Sequence, residues 1–78
     1  MKSEKDIELL KQLGLHVKKI RQEKELSHRQ VAAACNLEHH RIIEIEQGKV
    51  NITYTTLVEL AQGLGVTAGE IVTVNLAK

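Results

Sequence analysis

Apolar residues recur every three or four positions along most of this chain, in runs separated by short polar breaks. Over residues 4–24, Ile7, Leu10, Leu13, Val17 and Ile20 keep the period of one helix face, and Lys5, Lys11, Lys18, Lys19 and Arg21 occupy the others. Gly14 lies inside this run and weakens the helix locally. Ser27 then stands three residues before Gln30, the spacing of a capping box, with Leu26 and Val31 placed as a hydrophobic staple. A second helix is predicted from just after Ser27 through Cys35, with Asn36 supplying a left-handed turn. A third covers residues 38–47, where Leu37, Ile42 and Ile45 share a buried face and Gly48 stops the helix.

After the polar connection Lys49-Val50-Asn51, Thr53 can cap a fourth helix, stapled by Ile52 and Leu57. Leu57, Leu60, Ala61 and Leu64 form its apolar stripe, and Gly65 ends it. Thr67 and Glu70 repeat the box for a short fifth helix, stapled by Val66 and Ile71. In the tail, residues 73–78, helix and strand stay open: Val72, Val74 and Leu76 would share one side of an extended chain, Thr73 and Asn75 the other.

Composition narrows the class. The 78 residues suit a single domain with a modest core, which a partner subunit would stabilise. The apolar residues are almost all aliphatic; Tyr54 is the only aromatic, and proline is absent, which suits packed helices and an all-α fold. Cys35 is the only cysteine, so no internal disulfide forms. The charged start has no signal-peptide pattern, and no apolar run reaches membrane-spanning length. A cytoplasmic protein without a membrane partner is expected. The net charge of +1 permits nucleic-acid binding without arguing for it.

The second and third helices, joined by a tight turn, form a helix-turn-helix over residues 27–47. The second carries small residues, Ala32, Ala33 and Ala34, where another helix must come close. The third shows His39, His40, Ile43, Glu44 and Gln47 outward, a face odd for a core and suited to base edges. The matching pieces are Leu13-Gly14, Val17, Ile20-Arg21, Leu26-Ser27, Gln30-Val31-Ala32, Ile42, Ile45-Glu46-Gln47-Gly48-Lys49, Leu57-Val58-Glu59-Leu60-Ala61 and Leu64-Gly65-Val66. Through these, residues 13–72 resemble the lambda-repressor/Cro-like helix-turn-helix family, also called the XRE family.

The resemblance implies a compact five-helix, phage-repressor-like domain, with residues 1–12 extending the first helix. It implies that Glu38, His39, His40 and Glu44 lie in the major groove, and that Ser27, His28, Gln47, Lys49 and Asn51 meet phosphates. It also pairs Glu46 with Arg21 as a structural ion pair. Base chemistry adds that Glu44 can accept from cytosine, a histidine can serve guanine or adenine, and Ile43 or the arm of Arg41 can cover a thymine methyl. The chain departs from the family pattern at three places. Glu25 stands where a glycine often ends the first helix, Glu38 replaces a small hydroxyl cap, and Ile43 takes a usually polar position.

No catalytic or metal constellation emerges. Cys35, His16, His28 and His39 have no recognised ligand spacing, so neither metal nor cofactor is expected. Glu44 and Glu46 point to different faces, and the cap role accounts for Ser27. The leading expectation is a non-enzymatic, sequence-specific regulator that binds double-stranded DNA as a homodimer. Ile71, Val72, Val74 and Leu76 would form the dimer interface. The alternative is a protein-interaction module, such as an antitoxin bound to a toxin or an adaptor, favoured by Ile43 and the weak net charge. Protonation of His28, His39 and His40 is expected to strengthen DNA binding as pH falls from about 8 to about 6.

Overall fold

Ser3, Ser27, Thr53 and Thr67 each hold extended backbone and accept a hydrogen bond from the amide three residues on. These caps start four of the five helices in the computed structural model, which describes residues 3–73. The order is α1 (Glu4–Glu23), α2 (His28–Ala33), α3 (His39–Glu46), α4 (Tyr54–Leu64) and α5 (Ala68–Val72). Both predicted capping boxes close, Ser27 with Gln30 and Thr67 with Glu70. The hydrogen bonds from Thr67 hold the Glu70 carboxyl below its ordinary pKa. Glu38 precedes α3 without a side-chain cap bond, as its long side chain in place of a small hydroxyl would suggest.

The helix ends follow a common design. At α1, the Glu25 amide bonds to the Gln22 carbonyl and the Leu26 amide to the Arg21 carbonyl. Gly48 and Lys49 close α3 in the same pattern, and Gly65 and Val66 close α4. Each end needs one left-handed residue. Gly48 and Gly65 supply it with φ of 74° and 72°, and Glu25 supplies it with φ of 57°. Glu25 thus fills the glycine position noted in the sequence, with a side chain that strains it.

The second helix departs from its expectation. It stops at Ala33, not Cys35, because the amides of Ala34 and Cys35 tighten onto carbonyls three residues back. The Asn36 amide then leaves the helix ladder and donates to Glu59 on α4 at 2.9 Å. Among the described residues Asn36 is not left-handed; Glu59, rather than a positive φ, turns the chain.

Every helix contributes to one core. Val17, Val31, Ile42, Ile45, Leu60, Leu64 and Ile71 are its largest fully buried side chains. α1 packs on α3 and α5, α2 on α3 and α4, and α4 on α5. A bond between His16 Nε2 and the Glu70 carbonyl at 2.8 Å adds to the α1–α5 contact. Ile71 was expected at a dimer interface, but it has no exposed surface: the staple residue of so short a helix goes inward.

Gly14 has a role that its helix propensity hides. A Cβ there would collide with the carbonyl oxygens of Ile45 and Glu46, so the glycine lets α1 cross the end of α3 in backbone contact. In an open helix, alanine for glycine gains about 1 kcal/mol. Here Gly14→Ala should instead cost about 1–3 kcal/mol, lowering Tm by roughly 4–8 °C per kcal/mol. Glu25→Gly should raise Tm by relieving the left-handed backbone, on the order of 1 kcal/mol. Thermal denaturation of both variants checks the pair; a Gly14→Ala protein as stable as the parent would show that the crossing is loose.

Candidate nucleic-acid interface

The helix-turn-helix is held from behind at both ends. Its turn, residues 34–38, is fixed by Glu59. The base of α3 is fixed by Arg21 and Glu46: Arg21 Nε donates to one carboxylate oxygen at 2.7 Å and its terminal amino group to the other at 3.1 Å. Arg21 also donates to the Leu26 carbonyl at 2.8 Å, which ties the α1–α2 corner to the same group. The side chains of Arg21 and Glu46 are only 11% and 6% exposed, so this is a buried, bidentate pair between α1 and α3. The pairing implied by the resemblance is therefore present.

With its inner face committed, α3 turns the rest outward. His40, Arg41, Glu44 and Gln47 are exposed, and Glu38, Lys49 and Asn51 flank the helix with exposed side chains. His39 and Ile43 are half-buried, so the surface is less apolar than Ile43 suggested. The His39 and His40 rings lie 4.2 Å apart, tilted by 33°. Partial desolvation lowers the His39 pKa, and the positive charges of Arg29 and His40 push the same way against a weaker opposing pull from Glu38. His39 therefore favours the neutral ring, contrary to a picture in which all three histidines charge together.

Ser27 caps α2 with its hydroxyl, and its side chain stays exposed. His28, expected at a phosphate, also has an inward partner: its Nε2 sits 3.0 Å from Glu46 Oε1, which joins it to the buried pair. Two contributors were missed. Arg29 lines an open hollow between α2 and α3 with Ala32, Ala33, Glu38, His39 and His40. Its position three and four residues before Ala32 and Ala33 was the available signal. Glu59 had none, because its bond to the turn spans 23 positions of sequence.

Elsewhere, Val72 is 54% exposed, while Val74 and Leu76 lie outside the described residues. Among the described residues no three His, Cys, Asp or Glu side chains gather to hold a metal ion, and no helix is long and apolar enough to cross a membrane.

The model of the family described as a helix-turn-helix domain matches residues 12–73. The chain belongs to the helix-turn-helix domain family. This helix-turn-helix protein is 36% identical over 67 residues to the uncharacterized HTH-type transcriptional regulator y4dJ of Sinorhizobium fredii, covering 86% of this chain and 87% of that one. Its fold is similar to that of the restriction-modification controller protein C.AhdI from Aeromonas hydrophila, at 25% identity and a TM-score of 0.74 over 82% of this chain and 96% of that one. It is also similar to the restriction-modification controller protein C.Esp1396I, solved as a tetramer with its natural 35 base-pair operator. That likeness has 30% identity and a TM-score of 0.71, over 83% of this chain and 96% of that one.

Glu46→Gln should lower stability by up to about 3–5 kcal/mol, because it strands the Arg21 charge. Replacing both partners, Arg21→Met with Glu46→Leu, should recover much of that loss. Equilibrium urea unfolding of the single and double variants checks both; a Glu46→Gln midpoint equal to the parent's would reduce the pair to surface decoration.

Proposed function

We propose that this helix-turn-helix protein is a sequence-specific transcriptional regulator that binds operator DNA as a homodimer, with α3 in the major groove. The observation that carries this reading is the division of α3 into two faces. Ile42, Ile45 and Glu46 are buried, while His40, Arg41, Glu44 and Gln47 are presented on the opposite side by a helix pinned at both ends. A face so fixed suits base-edge readout. The C.Esp1396I relative, solved with its operator, supports the same use of the fold.

In this reading Glu44 accepts from a cytosine amino group, and a neutral His39 keeps an acceptor for an adenine or cytosine amino group. His40 serves guanine or adenine, and Arg41 or the exposed part of Ile43 covers a thymine methyl. Ser27, His28, Gln47, Lys49 and Asn51 meet phosphates, which set register without reading sequence. Glu38 flanks the groove, and Arg29, at the rim of the hollow beside His39, adds a cation that the sequence reading did not count. Two recognition helices about 34–36 Å apart would meet successive major grooves. The alternative, a module whose outer α3 face binds protein, rests on Ile43 and the weak net charge; Ile43 is half-buried, and the net charge of +1 stands.

Selection from a random duplex pool, then anisotropy titrations across a salt series, tests the reading. Affinity should fall as salt rises. Glu44→Gln should change preference at one or two base pairs per half-site, costing roughly 1–3 kcal/mol. Lys49→Ala should weaken all sequences alike. Indifference to every duplex at low salt would favour the protein-binding module.

For the dimer, Val72 is the one residue of the expected interface that is both described and exposed. Val72→Asp should shift the sedimentation profile toward monomer, as should deletion from Thr73 onward. Identical monomeric profiles for parent and variants would refute the interface.

A further inference from the structure

Glu46 constrains the His28 ring from one side, through a carboxylate that is itself committed. The carboxylate receives Arg21 on both oxygens and is 6% exposed; beside an arginine that stays protonated, it serves as acceptor only. A ring nitrogen 3.0 Å from such an oxygen has to carry the hydrogen. That nitrogen is Nε2, so the neutral ring is the Nε2–H tautomer and its lone pair lies on Nδ1. The side chain is still 31% exposed, and Nδ1 has no hydrogen-bond partner among the described residues.

We propose that Glu46 fixes the His28 ring as the Nε2–H tautomer, so that a DNA phosphate arriving at this residue meets Nδ1 and is bound only when Nδ1 is protonated. The proposal rests on the DNA-binding reading and adds a proton requirement to one of its contacts. With Nδ1 bare, two acceptors face each other. With Nδ1 protonated, the ring bridges the buried carboxylate and the phosphate, donating to both through charge-assisted bonds. The opposite tautomer would offer the phosphate an N–H at any pH, so the hydrogen bond to Glu46 is what creates the dependence.

The charges around the ring are mixed. The ring lies against the Glu46 carboxylate of α3, which also holds the Arg21 guanidinium of α1; Arg29 of α2 is its neighbour in sequence, and His39 of α3 is within electrostatic reach. Desolvation and the Arg29 charge already keep His39 toward its neutral form. A bound phosphate tips the balance at His28, and DNA binding then takes up a proton. The gain in affinity is fully present at low pH and is lost as pH rises through the ring's pKa in the complex. The Glu46 bond is what ties a phosphate contact at His28 to a proton, while His39 reads bases as a neutral ring.

The test compares the parent, His28→Gln and His39→Gln. Affinity for a random-sequence duplex and for the selected operator is measured at about pH 6 and pH 8, values that bracket the ordinary histidine range, at fixed ionic strength. The glutamine amide can donate to Glu46 in place of Nε2 but cannot titrate. The parent should bind about tenfold tighter at the lower pH, the weight of one charge-assisted contact. His28→Gln should bring the ratio close to one, and His39→Gln should preserve it. Nitrogen-15 NMR of the parent's imidazole rings, without DNA, should show the Nε2–H form of His28 at the higher pH. An Nδ1–H tautomer overturns the proposal, as does a pH ratio that His28→Gln leaves intact while DNA still binds. Loss of binding to every duplex at both pH values overturns the DNA reading and the proposal together.

Discussion

Glu46 accepts from Arg21 through both carboxylate oxygens and meets His28 on one of them, and where α3 can lie depends on that convergence. The carboxylate belongs to α3, the guanidinium to α1 and the imidazole to α2. Arg21 further holds the Leu26 carbonyl, at the corner that sends the chain into α2. A charge this deep is tolerated only because its donors surround it. The backbone allows the approach because Gly14 lets α1 pass against the carbonyls of Ile45 and Glu46. The ion pair and the missing side chain are two halves of one crossing.

The opposite end of the helix-turn-helix is held by α4. Gly63 brings that helix onto α2, where a Cβ would stand 2.7 Å from the Val31 carbonyl oxygen, and Glu59, one turn earlier, takes the Asn36 amide. The turn therefore uses no special backbone conformation of its own. Its geometry is borrowed from a helix that arrives later in the chain. α2, α3 and their turn thus form a block with few ways to rearrange, and a rigid block loses little freedom on docking.

How much of this was legible depends on the range of the interaction. Ser27 with Gln30 and Thr67 with Glu70 were readable because a cap and its partner lie three residues apart. The ends at Gly48 and Gly65 were readable because a left-handed residue favours glycine, and Glu25 was noticed because it broke that preference. The Arg21–Glu46 pair came only through the family pattern. Contacts that depend on the assembled fold were out of reach: the amide of Asn36 on Glu59, the ring of His28 on Glu46, and the carbonyls facing Gly14. α2 was read two residues too long because nothing local announces that Glu59 will draw Asn36 away. Ile71 was placed outside because a short apolar run near an end looks alike whether it turns inward or outward. Helical period tells which residues of α3 face outward, except that Ile43 and His39 sink partway into the surface.

The two faces of α3 have a consequence for how such a protein can change over generations. Ile42, Ile45 and Glu46 hold the helix; His40, Arg41, Glu44 and Gln47 touch little of the rest of the molecule. Substitutions on the second set leave the core and its ion pair intact, so stability sets few limits on them. The outer face of the helix is thus detached from its anchorage. A lineage can rewrite that face without first refolding what carries it, whereas any drift at Gly14, Arg21 or Glu46 would be tested at once by the fold.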